Sequence, residues 1–134
     1  MKLEFSELMK KIADEIGGQF SEYDKSKSVI IVPLEGNRYQ AVVGVIRLNE
    51  KLNKTRLEFS SKVCQLSNSV DLKELLVENA KTCYARFVIV DDYVRVEGAT
   101  FFESATESEL KDILEEVARL ADAWEFKLTG LDVH

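Results

Sequence analysis

Two serines stand side by side at Ser60-Ser61, two aspartates at Asp91-Asp92, two cysteines at Cys64 and Cys83, and the single histidine is the last residue, His134. Each pair names a chemistry. A nucleophilic serine needs a general base within hydrogen-bond reach, yet the one histidine is terminal and no G-x-S-x-G frames Ser60 or Ser61, so triad chemistry is not expected. Asp91-Asp92 supply only two carboxylates, fewer oxygens than a hard cation asks for; turn chemistry, in which aspartate accepts left-handed backbone, explains them better. Cys64 and Cys83 lie outside any CxxC, and no histidine cluster accompanies them, so neither a zinc nor a redox motif is present. They read as reduced thiols, two small buried side chains. Glu97 and Glu103 are the carboxylates open to an acid/base enzyme, but acids scattered on strands are ordinarily solvated. The expectation is a chain with no catalytic residue, no cofactor and no metal: not an enzyme.

The totals bound what else it does. At 134 residues and 15.2 kDa, with 46% apolar and 31% charged residues, the sequence suits one domain over 1–134 that buries its own core. One proline and six glycines argue against low complexity. Net charge is −6, and no basic block stands anywhere in the sequence, which disfavours nucleic acid as a partner. No apolar run approaches the roughly 18 residues of a membrane span, and charges interrupt the first residues, so a cytoplasmic location is expected.

The elements follow from periodicity. Phe5, Leu8, Met9, Ile12, Ala13 and Ile16 recur at helical spacing; Ser6 is a candidate cap, or a looser turn starts at Leu3, and Gly17-Gly18 end the helix. A short extra strand is possible at 19–23. Ser28–Leu34 is a strand apolar on both faces, which implies cover on both sides, with Pro33 at a strand end or an edge. Arg38–Leu48 and Thr55–Leu66 complete an antiparallel meander, the last with Leu57, Phe59, Ser61 and Val63 inward and charged residues outward. Gly44 marks either a bulge or the close approach of a side chain from a packed helix. Asp71, with Glu74 three residues on and Val70 before it, starts a helix that runs to about Ala80 and buries Leu72, Leu75, Leu76 and Asn79.

A hairpin follows. With Asp91-Asp92 as the two loop residues, Val90 faces Tyr93, Ile89 faces Val94, Val88 faces Arg95, Phe87 faces Val96 and Arg86 faces Glu97. One face, Phe87, Ile89, Val94 and Val96, is core; the other mixes an Arg86–Glu97 pair with Val88, Val90, Tyr93 and Arg95. Past Gly98 the alternation breaks, which predicts a bulge there. Thr106 and Glu109 then cap a long helix with Leu110, Ile113, Leu114, Val117, Leu120, Ala121 and Trp124 inward and Lys111, Asp112, Glu115, Glu116, Arg119 and Asp122 outward. The fold class is α+β: a two-layer sandwich of order α-β-β-β-α-β-β-α on one antiparallel sheet.

The residues ELLVENAKTCYARFVIVDDYVRVEGATFF and ELKDILEEVARLADAWEFKL resemble the YbjN-like family of bacterial sensory-transduction regulators, which is similar in fold to the type III secretion chaperones; VPLEGNRYQAVVGV and the stretch from Leu57 resemble its earlier strands. The resemblance implies an α/β sandwich, frequent homodimers, no established enzymatic activity, and a role in regulation or protein binding. The leading functional expectation is therefore a non-enzymatic regulatory or chaperone-like interaction module, its partner a protein or a second copy. Its candidate binding surface is Val88, Val90, Tyr93 and Arg95, with the helix at 72–79 beside it, unless the long helix covers the valines. The alternative is a small-ligand sensor with a groove between sheet and helix, lined by Tyr84, Phe101 and Phe102.

Overall fold

The structure, a computed structural model, describes residues 4–129; His134 lies outside them, as does a helix start at Leu3. Helix α1 is Phe5–Glu15, followed by β1 (Gln19–Asp24), β2 (Lys27–Leu34), a 3-10 turn at Glu35–Asn37, β3 (Arg38–Asn49) and β4 (Lys54–Gln65). Helix α2 (Leu72–Asn79), β5 (Ala85–Val90), β6 (Tyr93–Phe101) and α3 (Glu107–Thr129) complete the order. The extra strand is present as β1. All pairings are antiparallel, in the order β1-β2-β3-β4-β6-β5. The connection through α2 carries the chain past the meander to the far edge, and the hairpin then folds back so that β6 pairs with β4.

Local chemistry explains the ends of the elements. Gly17, at φ 75°, terminates α1 in the left-handed conformation. Ser6 is not the cap: Glu4 holds that position without a side-chain bond, and Ser6 Oγ instead donates to Glu22 Oε1 at 2.5 Å. Asp71 caps α2 by accepting from Glu74 N at 3.2 Å, while Glu74 turns away from the reciprocal bond to meet Lys127 at 2.9 Å. Thr106 Oγ1 accepts from Glu109 N at 3.0 Å as α3 begins. The hairpin has the register set by Asp91-Asp92, both left-handed, and Arg86 meets Glu97 at 2.7 Å.

Helices α1 and α3 cover one face of the sheet and pair through Lys11–Glu107 and Lys111–Glu15. Between helices and sheet lie Met9, Ile12, Ile30, Val42, Leu57, Phe59, Val94, Val96, Ile113 and Val117, all buried. Two glycines permit this packing. A Cβ on Gly98 would stand 2.8 Å from Ile113 Cγ2 and 3.1 Å from Val117 Cγ2; one on Gly44 would stand 3.3 Å from Phe59 Cε1 and 3.6 Å from Met9 Sδ. Gly98 therefore marks the crossing of α3 and not a bulge. The pairing with β4 runs unbroken through Gly98, and the irregularity falls between Lys62 and Cys64. Beside it the β3–β4 ladder ends at Val43–Ser60, and side chains take over. Gln40 Nε2 donates to Ser61 Oγ (2.8 Å), which donates to Ala41 O (2.7 Å).

Among the described residues the other face carries no helix. Val29 and Ile31 of β2 are half-buried among strand neighbours instead of being covered, which corrects the expectation of cover on both sides. Pro33 pairs with Tyr39 beyond the last β1–β2 pair, Gln19–Ile31, where β2 has a neighbour on one side only. The same open face displays Lys27 from β2, Arg47 from β3, Lys54, Arg56, Glu58 and Lys62 from β4, Arg95 and Glu97 from β6, and Arg86 from β5. Asp122, read as outward-facing, is buried: Arg38 donates to its Oδ2 through Nε (2.9 Å) and Nη2 (2.8 Å) across the α3–β3 contact. Nearby Glu125 is buried as well.

Candidate functional site

Sheet edges are where the chain must decide whether to pair with another strand, and β5 is an edge. In a two-residue hairpin the residues alternate between exchanging hydrogen bonds with the partner strand and pointing them outward. With Val90–Tyr93 closing the turn, Ala85, Phe87 and Ile89 of β5 turn their backbone groups away from β6. Side chains occupy them in order. Glu116 of α3 accepts from the N–H groups of Cys83 (2.9 Å), Tyr84 (2.6 Å) and Ala85 (2.6 Å). Thr82 Oγ1 donates to Ala85 O. Asn79 then brackets Phe87, accepting its N–H through Oδ1 at 2.6 Å and donating Nδ2 to its carbonyl at 3.4 Å.

The Glu116 carboxyl is pushed up by burial, but the three amide bonds outweigh this and hold it below the ordinary glutamate value. As far as Phe87 the edge is closed to strand addition. A partner at this edge has to be met by side chains.

Those side chains are apolar and exposed. Of the α2 residues expected inside, only Leu75 is buried; Leu72 is 45% and Leu76 69% exposed. The helix is short and touches the sheet chiefly along β5, so one row of side chains suffices to seat it. Val77 and Ile89 are also exposed, Ile89 at 49%, which removes it from the core face of the hairpin: it sits near the tip, past the cover of the helices. Phe87, one step along the same face, stays buried edge-on to Trp124 with ring centroids 5.3 Å apart. Between α2 and β5 these residues leave a groove of about 210 Å³ lined by Leu72, Leu75, Leu76, Phe87, Val88 and Ile89, with Asn79 as its polar member.

The four residues singled out from the hairpin divide between two places. Val88 lines the groove, whereas Val90, Tyr93 and Arg95 border a broad concavity on the open sheet face. The long helix does not cover the valines: Val88 is half-buried and Val90 45% exposed. Sequence reasoning missed Leu72, Leu76 and Val77 as surface residues, since an apolar helix stripe reads as core unless the area of the opposing sheet is known.

The other candidates are dispersed. Phe101 lies on the open face under Lys54, Phe102 packs edge-on to Phe5 with centroids 6.3 Å apart, and Tyr84 is exposed, so the three aromatics do not line one cavity. Ser61 is locked between Gln40 and Ala41, while Ser60 accepts from Arg95 Nη2 at 3.1 Å on the opposite face. Burial pushes the Glu97 carboxyl up, but hydrogen bonding with Glu58 and Arg86 and the charges of Arg56 and Arg86 bring it below its ordinary value, ionised and unsuited to act as a base near neutrality. Both Glu103 oxygens accept from Thr55 N, at 2.8 and 2.9 Å. Cys64 is buried, and its thiol is pushed up by that burial and then by the charge of Glu125; Cys83 is exposed, against expectation, at the loop before β5. Neither is in a disulfide. Among the described residues no cluster of three or more His, Cys, Asp or Glu is placed to hold a metal, and no helix is long and apolar enough to cross a membrane.

Three helices against a six-stranded antiparallel sheet, with a short helix leading into an edge hairpin, match a solved structure. The chain is similar to the Yersinia pestis type III secretion chaperone SycH, whose structure is of a complex with a stable fragment of YscM2: TM-score 0.50, 17% identity, 89% of this chain and 98% of that one. This chain has the type III secretion chaperone fold. No protein-family model and no curated protein matches the sequence. At this identity the likeness is one of architecture.

Proposed function

We propose that this chain is a non-enzymatic, chaperone-like protein-interaction module of the YbjN-like kind, acting as a homodimer built on the α2–β5 edge. The observation that carries the reading is the juxtaposition of a side-chain-plugged edge strand with exposed Leu72, Leu76, Val77 and Ile89 around an apolar groove. Large apolar side chains grouped on a surface, rather than scattered singly, favour burial against another protein. The groove holds about 210 Å³, below the ~300–1,000 Å³ of ordinary small-molecule pockets. It suits one or two side chains of a partner better than a metabolite, which ranks the sensor reading second. Val88 lines the groove and belongs to the same surface, while Val90, Tyr93 and Arg95 border the separate concavity on the open sheet face.

Sedimentation velocity tests the dimer. The wild-type chain is expected to run at twice its 15.2 kDa mass, and Leu76→Glu, at a position already exposed in the protomer, to run as a folded monomer. A wild-type monomer at high concentration would overturn the proposal.

A further inference from the structure

Charge is distributed unevenly between the two sides of the sheet. Among the described residues the open face and the hairpin tip beside it hold seven of the 18 basic residues and three of the 24 acidic ones, Glu58, Asp91 and Glu97, a net of +4 against −10 for the rest of the sequence. Arg56 is bound to Glu58 and Glu97, and Arg86 to Glu97. Lys27, Lys54, Lys62 and Arg95 make no ion pair within 4.0 Å among the described residues, and Arg47 only reaches Glu58 at that limit. Lys27, Arg47, Lys62 and Arg95, with Glu58, Asp91 and Glu97 among them, line a concavity of about 840 Å³ that includes Ala41, Val43 and Val45. Glu58 and Glu97 are already paired with Arg56 and Arg86, so a lining whose cations have charge to spare around apolar side chains, on a sheet face that no helix among the described residues covers, is complementary to a segment that alternates acidic and apolar side chains.

We infer that the open sheet face docks an acidic, extended segment of a partner protein, its carboxylates against Lys27, Arg47, Lys62 and Arg95 and its apolar side chains over Val43 and Val45. This rests on the interaction-module reading for the class of partner, but it uses a surface separate from the α2–β5 groove. Two observations favour a protein segment over a nucleic acid. Bases bind such platforms by stacking on free aromatic faces, and here three rings of this face each lie beneath a lysine ammonium: Tyr23 under Lys27 (5.3 Å), Tyr93 under Lys62 (4.4 Å) and Phe101 under Lys54 (4.9 Å). A polyanion longer than the face would also run onto the acidic remainder of the molecule, whereas a short acidic segment would not.

The test uses the full chain and three fluorescent probes of equal length: a peptide alternating Glu and Val, one alternating Lys and Val, and oligo(U). The Glu-Val peptide is expected to bind, to lose tenfold or more in affinity between about 50 and 300 mM salt as its charges are screened, and to lose tenfold or more again in the Lys27→Glu/Arg47→Glu double variant. Both positions are exposed, so the variant is expected to keep the wild-type circular dichroism; Lys62→Glu, on a different strand, provides a second variant should it not. Leu76→Glu is expected to alter the mass but leave peptide affinity unchanged, so failure of the dimer and failure of this site are told apart. Absence of Glu-Val binding, binding undiminished by the charge reversals, equal binding of the Lys-Val peptide, or tighter binding of oligo(U) would each overturn the inference.

Discussion

Gly98 and Ala99 are neighbours on β6 that look in opposite directions, and they condense the difference between the two faces of this sheet. Behind Gly98, α3 approaches so closely that a single methyl group has no room; in front of Ala99 the open face is half-exposed. One side is a close-packed interior in which shape decides, and the other a surface in which charge decides. The same strands serve both because successive side chains alternate. The difference predicts the largest effect. Gly98→Val drives its side chain into Ile113 and Val117 and is expected to cost about 2–3 kcal/mol, near the upper part of the usual range for overpacking. Ala99→Val adds a β-branched residue to a strand with space before it and is expected to change stability by no more than about 0.5 kcal/mol. Urea denaturation of the two variants checks the pair; equal losses would mean that α3 does not hold its place over Gly98.

The sheet also has two unlike edges. β1 is polar and exposed along most of its length, a row of Gln, Ser, Glu, Tyr and Asp, while β5 is apolar and protected by borrowed side chains. Polarity guards one edge and hydrogen-bond saturation the other, two devices against unwanted strand pairing. Asn79→Ala tests the second. It strips the bracket from Phe87, leaving a partly buried N–H and carbonyl without partners, at an expected cost of about 1–2 kcal/mol. It should also raise light scattering on storage, as the reopened edge recruits other chains. A variant equally destabilised at a position away from the edge, with the same scattering, would show that plugging the edge is not Asn79's role.

Why the edge was invisible in the sequence while the hairpin was legible is a matter of range. The hairpin register follows from two residues, Asp91 and Asp92, that take left-handed backbone, and from the alternation beside them. The ends of α2 and α3 follow from caps three residues long, and the meander from period-two patterning. These are local signals. The strand order, with β6 inside and β5 outside, is not local, and neither is the burial of α2: Leu72 and Leu76 have the spacing of core residues, and only the narrowness of the sheet edge leaves them outside. Gly98 read as a bulge for a similar reason, since the sequence around it does not reveal that a helix some fifteen residues later returns over it. The basic face was hidden most completely. Its seven cations are spread from Lys27 to Arg95 with acids between them along the chain, most of those acids lying in turns or in α2, and only the strand pairing gathers the cations on one face. The absence of a basic block in sequence was a sound observation that did not exclude a basic surface in space.

Glu116 extends the edge comparison to a smaller and pH-dependent effect. On periodicity it belongs to the solvent side of α3, beside Glu115 and Arg119, yet its carboxylate is the acceptor for three consecutive amides leading into β5. Because those bonds favour the charged form, its folded-state pKa lies below the unfolded one. The stability it contributes is therefore fully present above the ordinary glutamate range and disappears as pH falls through the depressed folded value. The site is partly exposed, so solvent screening keeps the contribution modest. Glu116→Gln preserves the shape and one acceptor oxygen but removes the charge, and is expected to cost about 1 kcal/mol at pH 7, toward the lower end for charged hydrogen bonds that lose only their charge. The gap between wild type and variant should close as pH falls through the depressed folded value of Glu116, where the wild-type carboxyl takes up its proton. Thermal unfolding of both chains at pH 7, 5 and 3 measures it. A gap that stays constant across this range would mean that Glu116 holds the edge by its shape alone, and would move the guard of β5 from charge to packing, as on the helix-covered face.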